Sequence, residues 1–345
     1  MIGLHHHNLL AKERTAVLKS LKEISLSSIN ELSIEMLTQT EPFVMRGLVN
    51  DWPIVQCANN HEKAELLLKM SANKAVPAWV APAQEKGRFF YDKDMKGFNF
   101  AQKNLFFNDV LNWLIDNQAE TDKATLYLGS TSIDYILPSY REQHDIPCLN
   151  HAPLVSLWMG NRSRVAAHFD ATDNVACVLA GERTFTLFAP DQWDNLYVGP
   201  IEFNPAGQAI SLVDFDNPDF KRFPKFKHAL ENGYEVRLKP GDGIFIPSMW
   251  WHSVKAHGAF NLLQNYWWRQ APEEAANPTD ALVHALLGIK ALPKAQREAW
   301  KAIFDKLVFD AESAEHIPEH ARGFLGDLDE KQARRMRQLL KRQLD

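Results

Sequence analysis

GDGIFIPSMWWH, from Gly241 to His252, is the stretch on which the reading of this chain turns. A glycine turn opens into the apolar run Gly243–Ile246, short enough for a buried strand and closed by Pro247. His252 then starts a second strand-like run, which places an imidazole at the mouth of a sheet. Working outward, short apolar runs punctuated by Gly, Pro, Asp and Asn recur between Thr125 and Trp268, at 125–128, 154–159, 174–179, 184–188, 235–238, 252–254 and 261–267. Many short strands of this kind predict a mainly β core built as a sandwich or barrel.

The flanks read differently. Residues 1–124 predict an α/β lead-in: a helix from Leu9 to about Lys22, a turn or cap at Ser27-Ser28-Ile29, a strand over Pro42–Arg46 stopping at Gly47, and a helix from Glu62 to Lys74. Past Pro272 the chain turns to Ala, Leu, Lys, Arg and Glu at helical spacing, over Ala281–Ile289, Lys294–Phe309 and Glu330–Leu344. The organisation expected is 1–124, a β core at 125–272 and a helical region at 273–345.

Composition bounds the function. With 46% hydrophobic and 23% charged residues in 345, the chain is globular, and a net charge of −5 argues against a general nucleic-acid binder. Cys57, Cys148 and Cys177 are too few for a disulfide framework, so a reducing, cytoplasmic setting is expected. Met1 to Asn8 lacks the pattern of a secretory signal, and no apolar stretch has the length of a membrane span. His5, His6 and His7 are read as a terminal remnant without a role.

In His168-Phe169-Asp170, alternation along a strand puts the first and third side chains on one face, where both can reach one ion. His252 can supply a third ligand. Two imidazoles and one carboxylate on one face of an octahedral ion leave positions open for a cosubstrate and oxygen, the arrangement that suits non-haem iron(II). His-x-Asp alone is a common accident, and its weight comes from context.

That context is a resemblance. His168 with Asp170, Gly181-Glu182-Arg183, the Gly241–His252 stretch and Asn265-Tyr266-Trp267 together resemble the cupin-like jumonji C oxygenases. Within them, the run VDFDNPDFKRFPKF from Val213 to Phe226 is most similar to the asparaginyl hydroxylases that inhibit hypoxia-inducible factor. The resemblance implies a double-stranded β-helix, or jelly roll, with iron(II), 2-oxoglutarate as cosubstrate and O2. It implies that Arg183, where the family usually has lysine, grips the far carboxylate of the keto acid. Tyr127, Asn174 and Asn265 match other cosubstrate contacts, although Arg183 could instead sit on the surface of a barrel, Tyr127 in its core, and either asparagine could cap a bulge. Thr172, Trp251 and Trp267 are candidates for touching the substrate.

Two departures stand out. Val165 replaces a threonine that contacts the cosubstrate in the family, and Ala209 and Ile210 occupy the positions of an arginine and a glutamine that clamp an asparagine amide. The reaction expected is hydroxylation of a C–H bond, of a protein or peptide side chain or of a small metabolite. A zinc cupin with non-redox chemistry and a non-catalytic metal-binding scaffold are the alternatives. The resemblance implies a helical end that can pair two copies, and Leu282, Leu286, Leu287, Leu307, Leu339 and Leu340 would suit either a homodimer or packing on the chain's own domain.

Overall fold

A computed structural model describes residues 18–120, 123–149, 154–205, 207–310, 312 and 314–344. His5, His6 and His7 and most of the expected leading helix lie outside the described residues. From Leu18 to Ser25 the chain is extended rather than helical: Lys19 bridges Tyr234, and strand β1 runs over Lys22–Ser25. Leu21 packs there against Val44 and Ile244, so burial on the sheet outweighs a helical spacing of leucines.

The strands that follow are β2 Phe43–Arg46, β3 Ala75–Ala81, β4 Arg88–Phe89, β5 Ala101–Phe106, β6 Thr125–Ser132, β7 Leu154–Gly160 and β8 Ser163–His168. They continue as β9 Asp173–Phe188, β10 Tyr234–Leu238, β11 Gly243–Ile246 and β12 Trp251–Trp268. All join one mixed sheet of 12 strands, with the path β1-β2-β11-β9-β12-β7-β6-β3-β5, while β10 pairs with β9 and β8 pairs with β12 and β4. With flanking helices, this is the mainly β core that the residue pattern predicts, and it is consistent with the jelly roll that the resemblance implies.

The lead-in is woven into that sheet. β2 lies antiparallel to β11, with Val44 opposite Ile244, and β3 pairs with β6, with Trp79 opposite Tyr127. The boundary expected after residue 124 therefore falls inside a single compact unit that ends at Trp268. The helix at Asn60–Met70, opened by Asn59 Oδ1 accepting the Glu62 N–H at 3.0 Å, ends short of Lys74 because the chain turns out into β3. Together with the helix at Phe107–Asp116 it buries Leu67, Val110, Leu111 and Leu114 against Met45, Leu157, Leu179 and Tyr266.

β9 and β12 each fuse two runs that the sequence presents as separate, and the fusion aims the site. On β9, Asn174 and Ala176 face the same cavity as Arg183 and Phe185, although an uninterrupted alternation would send even and odd positions to opposite faces. On β12, His252 and Val254 share the cavity with Leu263, Asn265 and Trp267. Both strands change phase where the ladder loses register between His257 and Leu263. Gly181 and Gly258 take φ of +70° and +86° there, a left-handed turn that suits glycine.

The second unit, Arg269–Asp345, is helical as expected. Its helices span Pro278–Ile289, Lys294–Phe304, with a π-helical extension at Asp305–Phe309, and Glu330–Leu344. Leu282, Leu286, Leu287, Leu307, Leu339 and Leu340 are exposed, Leu287 by 74%.

Candidate metal centre and cosubstrate cavity

His168 ends β8 and His252 lies at the start of β12, directly opposite it in the ladder. Their rings stand 4.4 Å apart, and Asp170 Oδ2 approaches His252 Nε2 at 3.6 Å. One ligand-type atom from each of His168, Asp170 and His252 falls within 4.8 Å of the others. The turn before His252 is pinned to the segment that carries Asp170: the Met249 N–H donates to Asp170 O at 2.8 Å and the Ser248 N–H to Asp173 Oδ1 at 2.9 Å. Met249 holds φ +69° to make that turn.

The imidazoles are oriented by their backbones. His168 Nδ1 lies 3.0 Å from Ala166 O, and His252 Nδ1 lies 3.0 Å from Trp250 O. A carbonyl only accepts, so Nδ1 carries the proton and the Nε2 lone pair is free for a metal. Burial, reinforced by the neighbouring His168, pushes the pKa of His252 down to about 4 against the pull of Asp170. The ring is therefore neutral at pH 7, the form that coordinates. Asp170 Oδ2 is buried without a hydrogen-bond partner. Two free imidazole nitrogens beside an unsatisfied carboxylate oxygen fit a divalent cation.

The three side chains open onto a cavity of about 580 Å³, a size typical of small-molecule sites. Arg183 lines it from β9 and is only 3% exposed, which settles the choice between a surface and an inward position. Its guanidinium interacts electrostatically with the Tyr127 phenol, its Nε has no hydrogen-bond partner, and none of the described carboxylates pairs with it. Burial lowers its pKa, and burial likewise pushes Tyr127 up to about 12, which keeps that phenol protonated. A buried guanidinium without a counter-charge is costly and calls for an anion.

Asn174, Asn265, Thr172 and Trp267 also line the cavity, as does Val165, which presents hydrocarbon where a threonine was missed. Trp251 does not belong with them. Alternation turns it to the far side of β12 from His252, where it is 1% exposed and packs on Phe169 and Trp193, so its expected substrate contact is replaced by a core role. Ala209 is buried, and Ile210 faces the cavity. Sequence reading missed Trp79, Phe89, Gln102, Trp158 and Gln208 in the wall, because their places depend on strand registers and a loop path that carry no motif.

A family model described as "Cupin-like domain" matches residues 30–274. The chain is 27% identical over 263 residues to JmjC domain-containing protein D of Dictyostelium discoideum, covering 69% of this chain and 54% of that protein. It is 22% identical over 258 residues to lysine-specific demethylase 8 of Xenopus tropicalis, covering 72% and 53%. Human tRNA wybutosine-synthesizing protein 5 is 30% identical over 129 residues, covering 37% and 35%. The chain thus spans about half the length of two of these curated relatives and about a third of the other. With the match running over most of the chain and the metal-type triad at the mouth of its sheet, the protein belongs to the cupin-like, jumonji C domain family.

Proposed function

We propose that this protein is an iron(II)- and 2-oxoglutarate-dependent oxygenase that hydroxylates a C–H bond of a protein or peptide side chain. One observation carries the reading: a single cavity holds an unmet need for a cation at His168, Asp170 and His252 and an unmet need for an anion at Arg183. A divalent metal answers the first, and a dicarboxylate that also chelates it answers both.

When bound, iron(II) supplies the oxidation, in which one oxygen atom of O2 enters the C–H bond and the other enters the succinate formed as 2-oxoglutarate loses carbon dioxide. The chain's residues do the rest. His168, Asp170 and His252 hold the ion from the wall. Arg183 neutralises the far carboxylate of the keto acid, and the protonated Tyr127 hydroxyl can donate to it. Val165, Phe185, Val254 and Leu263 add hydrocarbon to the wall of the same cavity, which would help to exclude water from it.

The substrate need not be asparagine. Ala209 and Ile210 offer no polar clamp, and the run that resembles asparaginyl hydroxylases has a structural task here. Asp216 pairs with Arg164 at 3.0 Å and Lys255 at 2.8 Å, and Asp214 with Arg164 at 3.2 Å, which ties the run to β8 and β12. Lysine and tRNA occur in the names of relatives, but the charge of −5 gives no general attraction to a phosphate backbone. A small metabolite is the second reading, favoured by the size of the cavity. A zinc cupin or a bare scaffold would leave the burial of Arg183 without a purpose.

A cytoplasmic setting fits three free cysteines, and no helix among the described residues is long and apolar enough to cross a membrane. A homodimer through the exposed leucines of the helical unit is proposed as well, to be dropped if sedimentation gives a monomer at micromolar concentration. The catalytic reading is tested by anaerobic calorimetry, with iron(II) titrated first and 2-oxoglutarate second. It expects keto-acid binding that requires the metal and is lost in Arg183→Met. Equal binding without metal, or to the variant, would rule it out.

A further inference from the structure

The cavity wall carries a chain of amide contacts behind the metal ligands. The Trp158 indole Nε1–H donates to Asn265 Oδ1 at 2.7 Å, and Asn265 Nδ2 donates to Asn174 Oδ1 at 3.2 Å. Trp158 sits on β7 opposite Leu263, and its ring meets Trp267 edge to face, with centroids 5.6 Å apart and planes at 90°. All of these side chains line the cavity shared with His168 and Asp170.

The two ends of a carboxamide have nearly the same shape, so only the bonding network decides which way an asparagine points. Here the decision is made at one end, because an indole nitrogen donates and cannot accept. Asn265 must turn its oxygen to Trp158 and its NH2 to Asn174. Asn174 must then offer its own oxygen to Asn265, which leaves its NH2 free, with no acceptor for it among the described residues.

From this sequence of constraints we infer that Trp158 is a positioning residue, one that fixes Asn174 as a hydrogen-bond donor toward the anionic cosubstrate in the cavity. The inference rests on the cosubstrate reading above. Without the indole N–H, Asn265 is free to turn over and Asn174 to turn with it. A carbonyl oxygen would then face a carboxylate, and an attraction would become a repulsion. Trp158 itself touches no reacting atom.

The test is equilibrium binding of 2-oxoglutarate to the anaerobic, iron(II)-loaded protein, with iron(II) affinity and thermal midpoint measured alongside. Trp158→Phe keeps an aromatic ring and removes the N–H. It is expected to weaken 2-oxoglutarate binding about tenfold while iron(II) affinity and midpoint stay put. Asn174→Ala is expected to cost a similar factor, and the double variant no more than either single one, since Trp158 acts through Asn174. Additive losses, an unchanged 2-oxoglutarate affinity in Trp158→Phe, or parallel losses in metal affinity and midpoint would overturn the relay. If the wild-type protein binds iron(II) but no 2-oxoglutarate, the cosubstrate reading fails and this inference falls with it. If the wild type binds both and Trp158→Phe is unaffected, the relay alone fails.

Discussion

His168 and His252 face each other across β8 and β12 with ring centroids 4.4 Å apart, each turning Nδ1 toward a backbone carbonyl and leaving Nε2 unclaimed. Asp170 closes the triangle. Removing it leaves two neutral nitrogens without a charge to hold a dication. Asp170→Ala is expected to weaken iron(II) binding by more than about 100-fold, beyond what is usual for losing a supporting contact. Calorimetry under argon measures this, and wild-type affinity in the variant would contradict the assignment. Folding should follow: metal at about 100 times its Kd adds roughly 2.7 kcal/mol to the wild type, and Asp170→Ala should lose that increment.

Arg183 yields a prediction with opposite signs in two assays. Its buried charge meets no carboxylate among the described residues, so Arg183→Met relieves a desolvation cost in the ligand-free protein. The variant is expected to be as stable as the wild type or more so, by about 1 kcal/mol, in urea denaturation without ligand, and to have lost 2-oxoglutarate binding. A variant that is markedly less stable yet still binds the keto acid would place the anion elsewhere.

Gly181 is expected to tolerate no side chain. A Cβ there would overlap Asn261 Oδ1 and stand 2.8 Å from Phe260 O, at a φ of +70° that a side chain disfavours. Gly181→Ala should cost on the order of 2 to 4 kcal/mol, read from the denaturation midpoint. Gly258, with φ +86° and open space around its Cβ position, should lose only about 1 kcal/mol when changed to Ala. Equal losses at the two positions would mean that close packing at Gly181 contributes nothing.

How far residue patterns reach is visible in particular elements. β11 matches its expected span at both ends because a glycine turn and Pro247 bracket four apolar residues. The metal triad was legible because His168-Phe169-Asp170 spaces an imidazole and a carboxylate one residue apart, although β8 ends at His168 and Asp170 lies just beyond the strand rather than on it. The continuity of β9 and β12 was not, since Gly181 and Gly258 read as breaks when they are changes of phase within one strand. β3 was hidden by Pro77, a residue that usually argues against an interior strand. The choice of Trp267 over Trp251 as a cavity residue depends on where the phase changes, and the Trp158 relay depends on the register of β7 with β12. Neither is written in local sequence.

His144, outside the His168–Asp170–His252 cluster, gives the protein an acid-sensitive point. It is buried, with Nε2 accepting the Ile54 N–H at 3.2 Å and Nδ1 2.8 Å from Tyr140 O. Burial lowers its pKa from 6.5, with the Tyr140 carbonyl pulling the other way. The unfolded chain therefore takes up a proton here before the folded one does. The stability this neutral ring contributes is fully present above about pH 6.5 and is lost as pH falls below it. His144→Gln should flatten that dependence when denaturation midpoints are compared between pH 7.5 and 5.5, values chosen to lie roughly one unit either side of the ordinary histidine pKa. A slope equal to that of the wild type would move the acid-sensitive group to another residue.

The most direct test of the oxygenase reading is succinate release by the anaerobically iron(II)-loaded protein after oxygen and 2-oxoglutarate are admitted, with and without a pool of peptides. Succinate is expected to form only with iron(II), to be absent in Asp170→Ala and Arg183→Met, and to rise when peptides are present. Metal and keto acid bound together with no succinate formed under any of these conditions would contradict the reading and leave a cupin that holds both without turning them over.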